Sequence, residues 1–374
     1  MTQIRTLRGV LRTPRDIDDE AQNARSQAPL RGALLGCGFF AENQLHAWRE
    51  LEGVEIVALC DLDARRLERF AASCSFSPSA CYTEAERLFE EVGLDFVDIA
   101  APTSAHRSLV TLACAHRVPV ICQKPFATDL HDARMMIEAC ARAGVSLTVH
   151  ENFRWQAAVR ETIDALRDGA IGEPFFARIS YRSGFDVFRA QPYLARTKRF
   201  IIADLGIHLL DIARALFGEV ERLGCQTRRV SADIAGEDVA TVMLAHASGV
   251  TSIVDCSYAT RQSEDPFPQT LIEIDGERGS LRLLAGFRLQ IDHLRNGRIE
   301  RTERLVAPSA PGWSTPPWTP IQQSVVRFQA DWLAKLRAGD LPETHGIDNF
   351  HTLALVEAAY QAADERGIVI PQRW

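Results

Sequence analysis

The nine cysteines of this chain follow none of the spacings that disulfide-rich or zinc-binding proteins use. No CxxC pair occurs, and the odd number of scattered cysteines is typical of reduced thiols in the cytoplasm rather than of a disulfide framework. Closely spaced cysteine and histidine ligands for zinc are also absent. The sequence therefore predicts a cytoplasmic protein without a structural metal site.

Long apolar segments and an excess of basic residues are missing as well. The longest apolar run, near residues 33–41, has about half the length that a membrane-spanning helix needs. Residues 1–29 contain no apolar signal core. The 49 Asp and Glu residues outnumber the 42 Lys and Arg residues, whereas sequence-independent nucleic-acid binding needs many basic side chains on one face. We therefore expect neither a membrane nor a nucleic acid as a partner.

Length and composition predict a globular protein with more than one domain. The chain has 374 residues, of which 46% are hydrophobic and 24% charged, and these fractions are ordinary for a folded protein. At roughly 150 residues per domain, this length fits two or three domains. Residues 1–29 are polar and lack periodicity. We expect a tail there, or an arm that lies over a partner subunit.

Short apolar runs alternate with helical segments between residues 30 and 152. This alternation is typical of parallel βαβ units, and it predicts a doubly wound Rossmann domain. The expected strands are 33–35, 55–60, 96–100, 118–122 and 145–150, and the expected helices are 41–51, 64–73, 106–115 and 129–143.

Residues 153–374 follow a different pattern. A helix is expected at 155–167, and two more are expected at 321–338 and 349–366. Between them, apolar runs separated in part by short turns predict a largely antiparallel sheet. The second part is therefore expected to be an α/β domain of another kind. Its expected strands are 175–182, 219–230, 239–246, 250–258, 269–275 and 280–284.

The segment 36–41 has the form GxGxxA and joins an expected strand to an expected helix, which is the context that this dinucleotide-binding motif needs. Gly36 permits the tight turn, and Gly38 lets backbone N–H groups approach a pyrophosphate at the helix N-terminus. Asp61 follows the next strand, where a carboxylate can bond the ribose 2′-OH and repel a 2′-phosphate. The motif predicts NAD rather than NADP, although two arginines one helical turn further on leave NADP open.

From residue 30 onward the sequence resembles the Gfo/Idh/MocA family of nicotinamide oxidoreductases. The resemblance implies a Rossmann domain over residues 30–152. It also implies a substrate-binding and oligomerisation domain over residues 153–374, which pairs through the open face of its sheet into homodimers or homotetramers. Besides the GxGxxA segment, the resemblance rests on Ala101-Pro102-Thr103 with His106, Gln123-Lys124-Pro125, Glu151–Gln156 and Asp204-Leu205-Gly206-Ile207-His208.

Within the family, segments 36–41, 122–126, 151–155 and 182–188 are most similar to members that oxidise a branched aldose at C1 to its lactone with NAD. The resemblance thus implies an NAD-dependent sugar dehydrogenase. Cyclitol or polyol oxidation to a ketone and transient oxidation with retained NAD are the alternatives. A nicotinamide sensor without turnover is a further one, which a proton acceptor beside the nicotinamide would disfavour. In one departure, Gln123 stands where the family usually has Glu.

Three residues are candidate catalytic groups. Lys124 follows the end of an expected strand, where open α/β sheets bind ligands, and the resemblance assigns it a catalytic role. Asp204 and His208 are four positions apart and would share one face of a helix, so that the carboxylate can orient the imidazole. We expect His208 to be the general base, with Asp204 as its partner and a substrate ligand, although Lys124 could accept the proton instead. Asp204, His208 and Asp211 could also ligate a metal, but no fourth ligand is evident and we expect none.

Further residues are assigned to the cofactor and the sugar. Arg154 could contact either one, or it could bridge the two domains. Asp186 would bind sugar hydroxyls, and Phe185 would pack on the apolar face of the sugar. The expected cofactor-binding residues are Gly36, Cys37, Gly38, Phe39, Phe40, Asp61, Leu62, Pro102, Thr103, His106, Gln123, Lys124, Asn152 and Arg154. The expected substrate-binding residues are Lys124, Arg154, Tyr181, Phe185, Asp186, Asp204 and His208.

Overall fold

A computed structural model describes residues 28–374 of the protein. It contains a six-stranded sheet followed along the chain by a nine-stranded sheet. The predicted fold class, a Rossmann domain followed by an α/β domain with a largely antiparallel sheet, is confirmed. The predicted tail or arm at residues 1–29 lies outside the described residues, apart from Ala28 and Pro29, which are exposed.

The first sheet is entirely parallel and has the strand order β3-β2-β1-β4-β5-β6. Because the chain runs outward from β1 in both directions, the carboxyl ends of β1 and β4 flank a topological switch point, where such sheets bind ligands. The elements are β1 Leu30–Leu35, α1 Ala41–Arg49, β2 Val54–Cys60, α2 Ala64–Ser73, β3 Cys81–Tyr82, α3 Ala85–Glu91, β4 Phe96–Ile99, α4 Thr103–Ala115, β5 Val120–Gln123, α5 Leu130–Ala143 and β6 Leu147–His150.

Helices cover both faces of this sheet, so β4 and β6 are buried along their whole length. The periodicity in the sequence found every element except β3 and α3. The first has two residues and the second has seven, which is too short for a repeating apolar pattern to stand out.

The second sheet has the order β14-β13-β12-β11-β7-β10-β9-β8-β15. Its neighbours are antiparallel except β7 and β10, which pair in parallel. The elements are α6 Ala157–Arg167, β7 Pro174–Arg182, α7 Ile207–Phe217, β8 Val220–Arg228, β9 Val239–His246, β10 Thr251–Ser257, β11 Leu271–Gly276, β12 Gly279–Leu284, β13 Arg288–Arg295, β14 Arg298–Leu305, α8 Thr319–Ala338, α9 Gly346–Glu365 and β15 Ile368–Val369.

The hairpin of β13 and β14 was not among the expected elements. Its turn is Asn296-Gly297, and both residues have positive φ, at 49° and 74°. Asn-Gly is a strong signal for such a turn, so the sequence contained the information. The outer strand, however, is exposed at every position and therefore shows no apolar alternation.

The last two long helices return to the Rossmann domain. Phe328 and Trp332 of α8 belong to the same apolar cluster as Trp48 and Phe96 of the first domain. Phe350 of α9 belongs to the cluster on the other face of the parallel sheet. This packing holds the parallel sheet against α8 on one face and α9 on the other. Across residues 28–374, none of the helices combines the length and apolar character that crossing a bilayer requires.

Candidate active site

A cavity of about 670 Å³ lies at the carboxyl ends of β1, β4, β5 and β6. Side chains from the second half of the chain close its other side. The members of the predicted cofactor set that line it are Gly36, Gly38, Phe39, Phe40, Asp61, Pro102, Thr103, Gln123, Lys124 and Asn152. The members of the predicted substrate set that line it are Lys124, Tyr181, Asp204 and His208.

The glycine turn after β1 has the geometry that a dinucleotide needs. Gly36 has φ +99°, and a Cβ there would lie 2.5 Å from the backbone nitrogen of Ala101, so only glycine fits. A Cβ on Gly38 would meet nothing within 4 Å, which leaves space for a phosphate beside the backbone and the N-terminus of α1. The residues present therefore fit NAD.

Asp61 is held at the rim of this turn by backbone donors. Its carboxylate accepts hydrogen bonds from the N–H groups of Cys37 at 2.9 Å and Asp63 at 2.8 Å. Arg66 also lines the cavity, and its Nη1 lies 3.3 Å from each carboxylate oxygen of Asp61. Asp61 thus pairs with one of the two arginines that left NADP open in the sequence.

Replacing Asp61 with alanine should weaken NAD binding by about 10- to 100-fold, since a hydrogen bond to a charged group contributes about 1.5–3 kcal/mol. NADP binding should strengthen, because Arg66 loses its carboxylate partner and the repulsion of a 2′-phosphate disappears. Titration calorimetry with both cofactors measures this. Asp63→Ala is the matched control, since Asp63 is the exposed N-cap of α2 and a second partner of Arg66. An equal loss for both cofactors in Asp61→Ala would contradict the assignment.

Lys124 follows β5 and points across the cavity to the second half of the chain. Its Nζ donates to the carbonyl oxygen of Asp204 at 2.6 Å and to the Asp204 carboxylate at 3.3 Å. The Gln123 side-chain oxygen accepts from the backbone N–H of Lys124 at 2.8 Å. The lysine is therefore fixed by a carbonyl and a carboxylate that belong to one residue.

Asp204 does not orient His208, contrary to the sequence-based expectation. Residues 202–206 form a π-helical turn before α7, and the wider turn breaks the shared face that an α-helix would give to positions four apart. The Asp204 carboxylate meets Lys124, whereas His208 Nδ1 shares a hydrogen bond with Glu151 Oε1. The sequence analysis did not select Glu151 as a site residue, because no local spacing links the end of β6 to α7.

The His208 ring is held flat against Phe153, with ring centroids 3.8 Å apart and an interplanar angle of 5°. Burial, together with the Lys124 ammonium, holds the pKa of His208 well below its usual value. Burial raises the pKa of Glu151 to about 8, against the opposing effects of Lys124 and Arg154. At neutral pH the imidazole is therefore uncharged, which is the state that a proton acceptor needs.

Arg154 does not reach the cavity, so its assignment to cofactor or sugar is wrong. Its guanidinium makes two hydrogen bonds to Asp211, at 2.5 and 2.7 Å, and one to Asp348 at 3.0 Å. These carboxylates belong to α7 and α9, so Arg154 ties together two helices of residues 153–374. The contacts do not show the bridge between the two domains that was the alternative interpretation. Asp211 is thereby engaged by an arginine rather than placed with Asp204 and His208 for a metal.

Three other members of the predicted cofactor set do not line the cavity. The Cys37 side chain is buried, and the residue contributes its backbone N–H to Asp61. Leu62 is 87% exposed. His106 is buried beneath the cavity, where Nε2 lies 2.8 Å from the carbonyl oxygen of Ala101 and Nδ1 lies 3.1 Å from that of Phe126. The protonated ring nitrogen donates to its carbonyl. His106 thus supports the loops after β4 and β5.

Phe185 and Asp186, which were expected to contact the sugar, lie behind the residues that line the cavity. Asp186 accepts from the backbone N–H groups of Phe188 and Arg189, so it caps a short 3-10 helix instead of lining the cavity. Phe185 stacks on Phe267 at 3.8 Å and meets the edge of Trp318. Those two partners line the cavity together with Tyr193 and Tyr258. These four residues were missed, because they come from loops and a short 3-10 helix whose approach depends on the tertiary fold.

Family models match both halves of the chain. Residues 30–151 match the oxidoreductase family with an NAD-binding Rossmann fold, and residues 159–282 match the GFO/IDH/MocA C-terminal domain. The chain belongs to the Gfo/Idh/MocA oxidoreductase family. The resemblance and the NAD cofactor inferred from the sequence are thereby confirmed.

Two curated family members are similar to this chain over most of their own length. D-apiose dehydrogenase of Paraburkholderia graminis is 58% identical over 90% of this chain and 88% of that protein. D-apiose dehydrogenase of Rhizobium rhizogenes is 51% identical over 89% of this chain and 95% of that protein. A crystal structure of an oxidoreductase from Agrobacterium radiobacter in complex with NAD+, L-tartaric acid and magnesium has a TM-score of 0.89 and 50% identity, covering 92% of this chain and 98% of that one.

Proposed function

We propose that this family member oxidises a sugar with NAD, and that the sugar is D-apiose, oxidised at C1 to its lactone. The observation that carries the proposal is the meeting of the dinucleotide turn, Lys124, Asp204 and His208 in one cavity. The identity of the chain to two D-apiose dehydrogenases supports the choice of substrate. A sensor without turnover would not require a neutral buried imidazole beside a fixed ammonium.

The chain's own residues supply binding and proton transfer, while bound NAD would supply the hydride acceptor. Lys124 Nζ, held by Asp204, places a positive charge where the reacting hydroxyl oxygen binds and stabilises negative charge that develops there. His208 accepts the hydroxyl proton as a neutral imidazole. The Asp204 carboxylate remains available as a second sugar ligand. Apolar rings around the cavity, among them Trp318 and Phe267, reduce the access of water.

A panel of sugars tests the proposal. The purified protein is mixed with NAD or NADP and with D-apiose, xylose, glucose, galactose or myo-inositol, and the absorbance of the reduced nicotinamide is followed. We expect the highest kcat/KM with D-apiose and NAD, and trapping of the early product with hydroxylamine as evidence of a lactone. Oxidation of myo-inositol alone would show a cyclitol dehydrogenase. NAD that stays bound through purification without net reduction would show transient oxidation.

We further propose that the protein is a cytoplasmic homodimer or homotetramer that pairs through the outer face of the nine-stranded sheet. On β9, Ala240, Val242 and Leu244 are buried, whereas Thr241 and Met243 are exposed, so one face of this strand has no covering layer within residues 28–374. The nine cysteines are all free, which supports a reducing compartment. Light scattering of the wild type and of Met243→Glu tests the interface, and a monomeric wild type would contradict it.

A further inference from the structure

Glu151 is a fully buried carboxylate beside His208. It follows β6, its relative exposure is 0%, and its Oε1 is hydrogen-bonded with His208 Nδ1. Its Oε2 has no hydrogen-bond partner among residues 28–374. Within the same range it forms no ion pair with a lysine or an arginine. Its one polar contact is therefore the imidazole.

A structural role for Glu151 would call for a different partner. Burying a carboxylate is costly unless a cation and hydrogen bonds compensate it. The nearest candidate along the chain, Arg154, is already engaged by Asp211 and Asp348. An apolar residue at this position would avoid this cost. The contact with His208 therefore accounts for the carboxylate at this position.

We propose that Glu151 positions His208 as the general base and takes over the proton that the imidazole releases from Nδ1. The inference rests on the proposed oxidation of a sugar hydroxyl in this cavity. With Nδ1–H donating to the Glu151 carboxylate, the lone pair of Nε2 is free and faces away from the buried glutamate. Glu151 thus fixes both the orientation and the tautomer of the ring.

The step balances as follows in atoms and charge. The O–H bond of the substrate breaks and its proton goes to His208 Nε2, while the C–H bond breaks and its electron pair leaves with the hydrogen to the oxidised nicotinamide. The Nδ1 proton moves to Glu151 Oε1. The substrate becomes a carbonyl compound, the imidazole stays neutral, and the carboxylate becomes a carboxylic acid. The step thus avoids forming an imidazolium, whose charge is disfavoured by burial at this site.

The protonation state of Glu151 determines how the oxidation rate depends on pH. Burial raises the pKa of the Glu151 carboxyl to about 8. Below that pH the acid donates to Nδ1, so the imidazole carries its proton on Nε2 and cannot accept another. Above it, the carboxylate accepts from Nδ1–H and Nε2 is free. Oxidation should therefore accelerate as the pH rises through about 8. The charged or titratable groups that surround the pair are Lys124, His150, Arg154, Asp204, Asp211 and Asp348.

Glu151→Gln tests the role with an isosteric side chain that cannot take a proton. We expect kcat/KM for D-apiose to fall by about 100-fold or more, the inflection near pH 8 to disappear, and the affinity for NAD to stay within about 2-fold. Glu151→Asp should restore part of the rate together with a pH inflection. A Glu151→Gln enzyme with wild-type rate and an unchanged pH profile would overturn the proposal.

The matched control is Asp98→Asn. Asp98 is another fully buried carboxylate, whose pKa burial raises to about 7, and it is bonded by Gln44 and Trp48 in the Rossmann core. This variant tests whether losing any buried carboxylate alters the profile, and we expect the inflection near pH 8 to remain. Its disappearance in Asp98→Asn would overturn the assignment to Glu151.

A second measurement does not depend on turnover. Nitrogen-15 NMR of histidine-labelled protein, assigned with a His208→Gln variant, reports the tautomer of His208 directly. We expect the Nδ1–H form at pH 9, a titration near pH 8, and loss of that titration in Glu151→Gln. An Nε2–H form at pH 9 would overturn the inference. If no sugar is oxidised but this titration is seen, the proposed function fails and the Glu151–His208 coupling stands.

Discussion

Replacing Lys124 with methionine should lower kcat for sugar oxidation by about 1,000-fold, the scale on which loss of one preorganised charge acts in other enzymes. Methionine keeps much of the side-chain length but has no ammonium, so nothing stabilises the developing negative charge on the hydroxyl oxygen. The Asp204 carbonyl and carboxylate also lose their donor. Affinity for NAD should change little, since the glycine turn and Asp61 remain in place.

Steady-state kinetics and calorimetry on the same preparation separate these effects. Lys335→Met is the matched control, because Lys335 lies in the last turn of α8, far along the chain from the cavity loops, and pairs with Asp340 at 3.8 Å. It should keep the wild-type rate. If Lys124→Met lost NAD affinity but kept its kcat, the lysine would be a cofactor ligand rather than a catalytic group.

Arg154→Met should lower the free energy of unfolding by about 3–5 kcal/mol, the usual cost of removing one partner from a buried ion pair. Asp211 has a relative exposure of 0%, so its carboxylate would remain buried with Thr352 as its remaining hydrogen-bond partner. Its pKa, which burial already raises to about 6, would rise further. Compared with the wild type, the variant should therefore lose further stability as the pH rises above about 6, the pKa of Asp211 in the wild type.

Urea unfolding of the single and double variants measures this coupling. Adding Asp211→Asn to Arg154→Met removes the unpaired charge and should recover part of the loss. If Arg154→Met instead kept its stability and lost affinity for NAD or sugar, the bridging role would be wrong and the original assignment to ligand binding would return.

The first domain was predictable because its signals are local. Each strand from β1 to β6 longer than two residues appears as an apolar run, and the glycine turn has to follow a strand for its motif to make sense. Gly36, Gly38 and Asp61 are therefore found by spacing alone. Their contacts stay within a single βαβ unit and its neighbouring strand.

The sequence selected most polar residues of the candidate active site but not the way in which they pair. Lys124 and His208 were found through a resemblance, whereas the partner of each depends on how α7 meets β5 and β6. The π-helical turn at 202–206 turns Asp204 toward the lysine, and Glu151 takes the place beside the imidazole. Sequence separation of 57 residues between those two groups leaves no periodic signal.

For Arg154 and Asp186, the sequence predicted ligand contacts that the structure does not contain. Each is a polar residue beside a predicted strand end, a position that is typical of ligand contacts. The structure uses one for a buried bridge between α7 and α9, and the other to cap a short helix. Residue type and position could not distinguish these uses, because the competing carboxylates and N–H groups come from elsewhere in the fold.

D-apiose deuterated at C1 provides the most direct test of direct sugar oxidation in this cavity. The protein is incubated with NAD and the labelled sugar, and the isolated reduced cofactor is examined by mass spectrometry. Our account predicts one deuterium in the reduced nicotinamide, a primary isotope effect on kcat/KM, and an unlabelled lactone. Reduced cofactor without deuterium, or a labelled product with no net reduction of NAD, would contradict it.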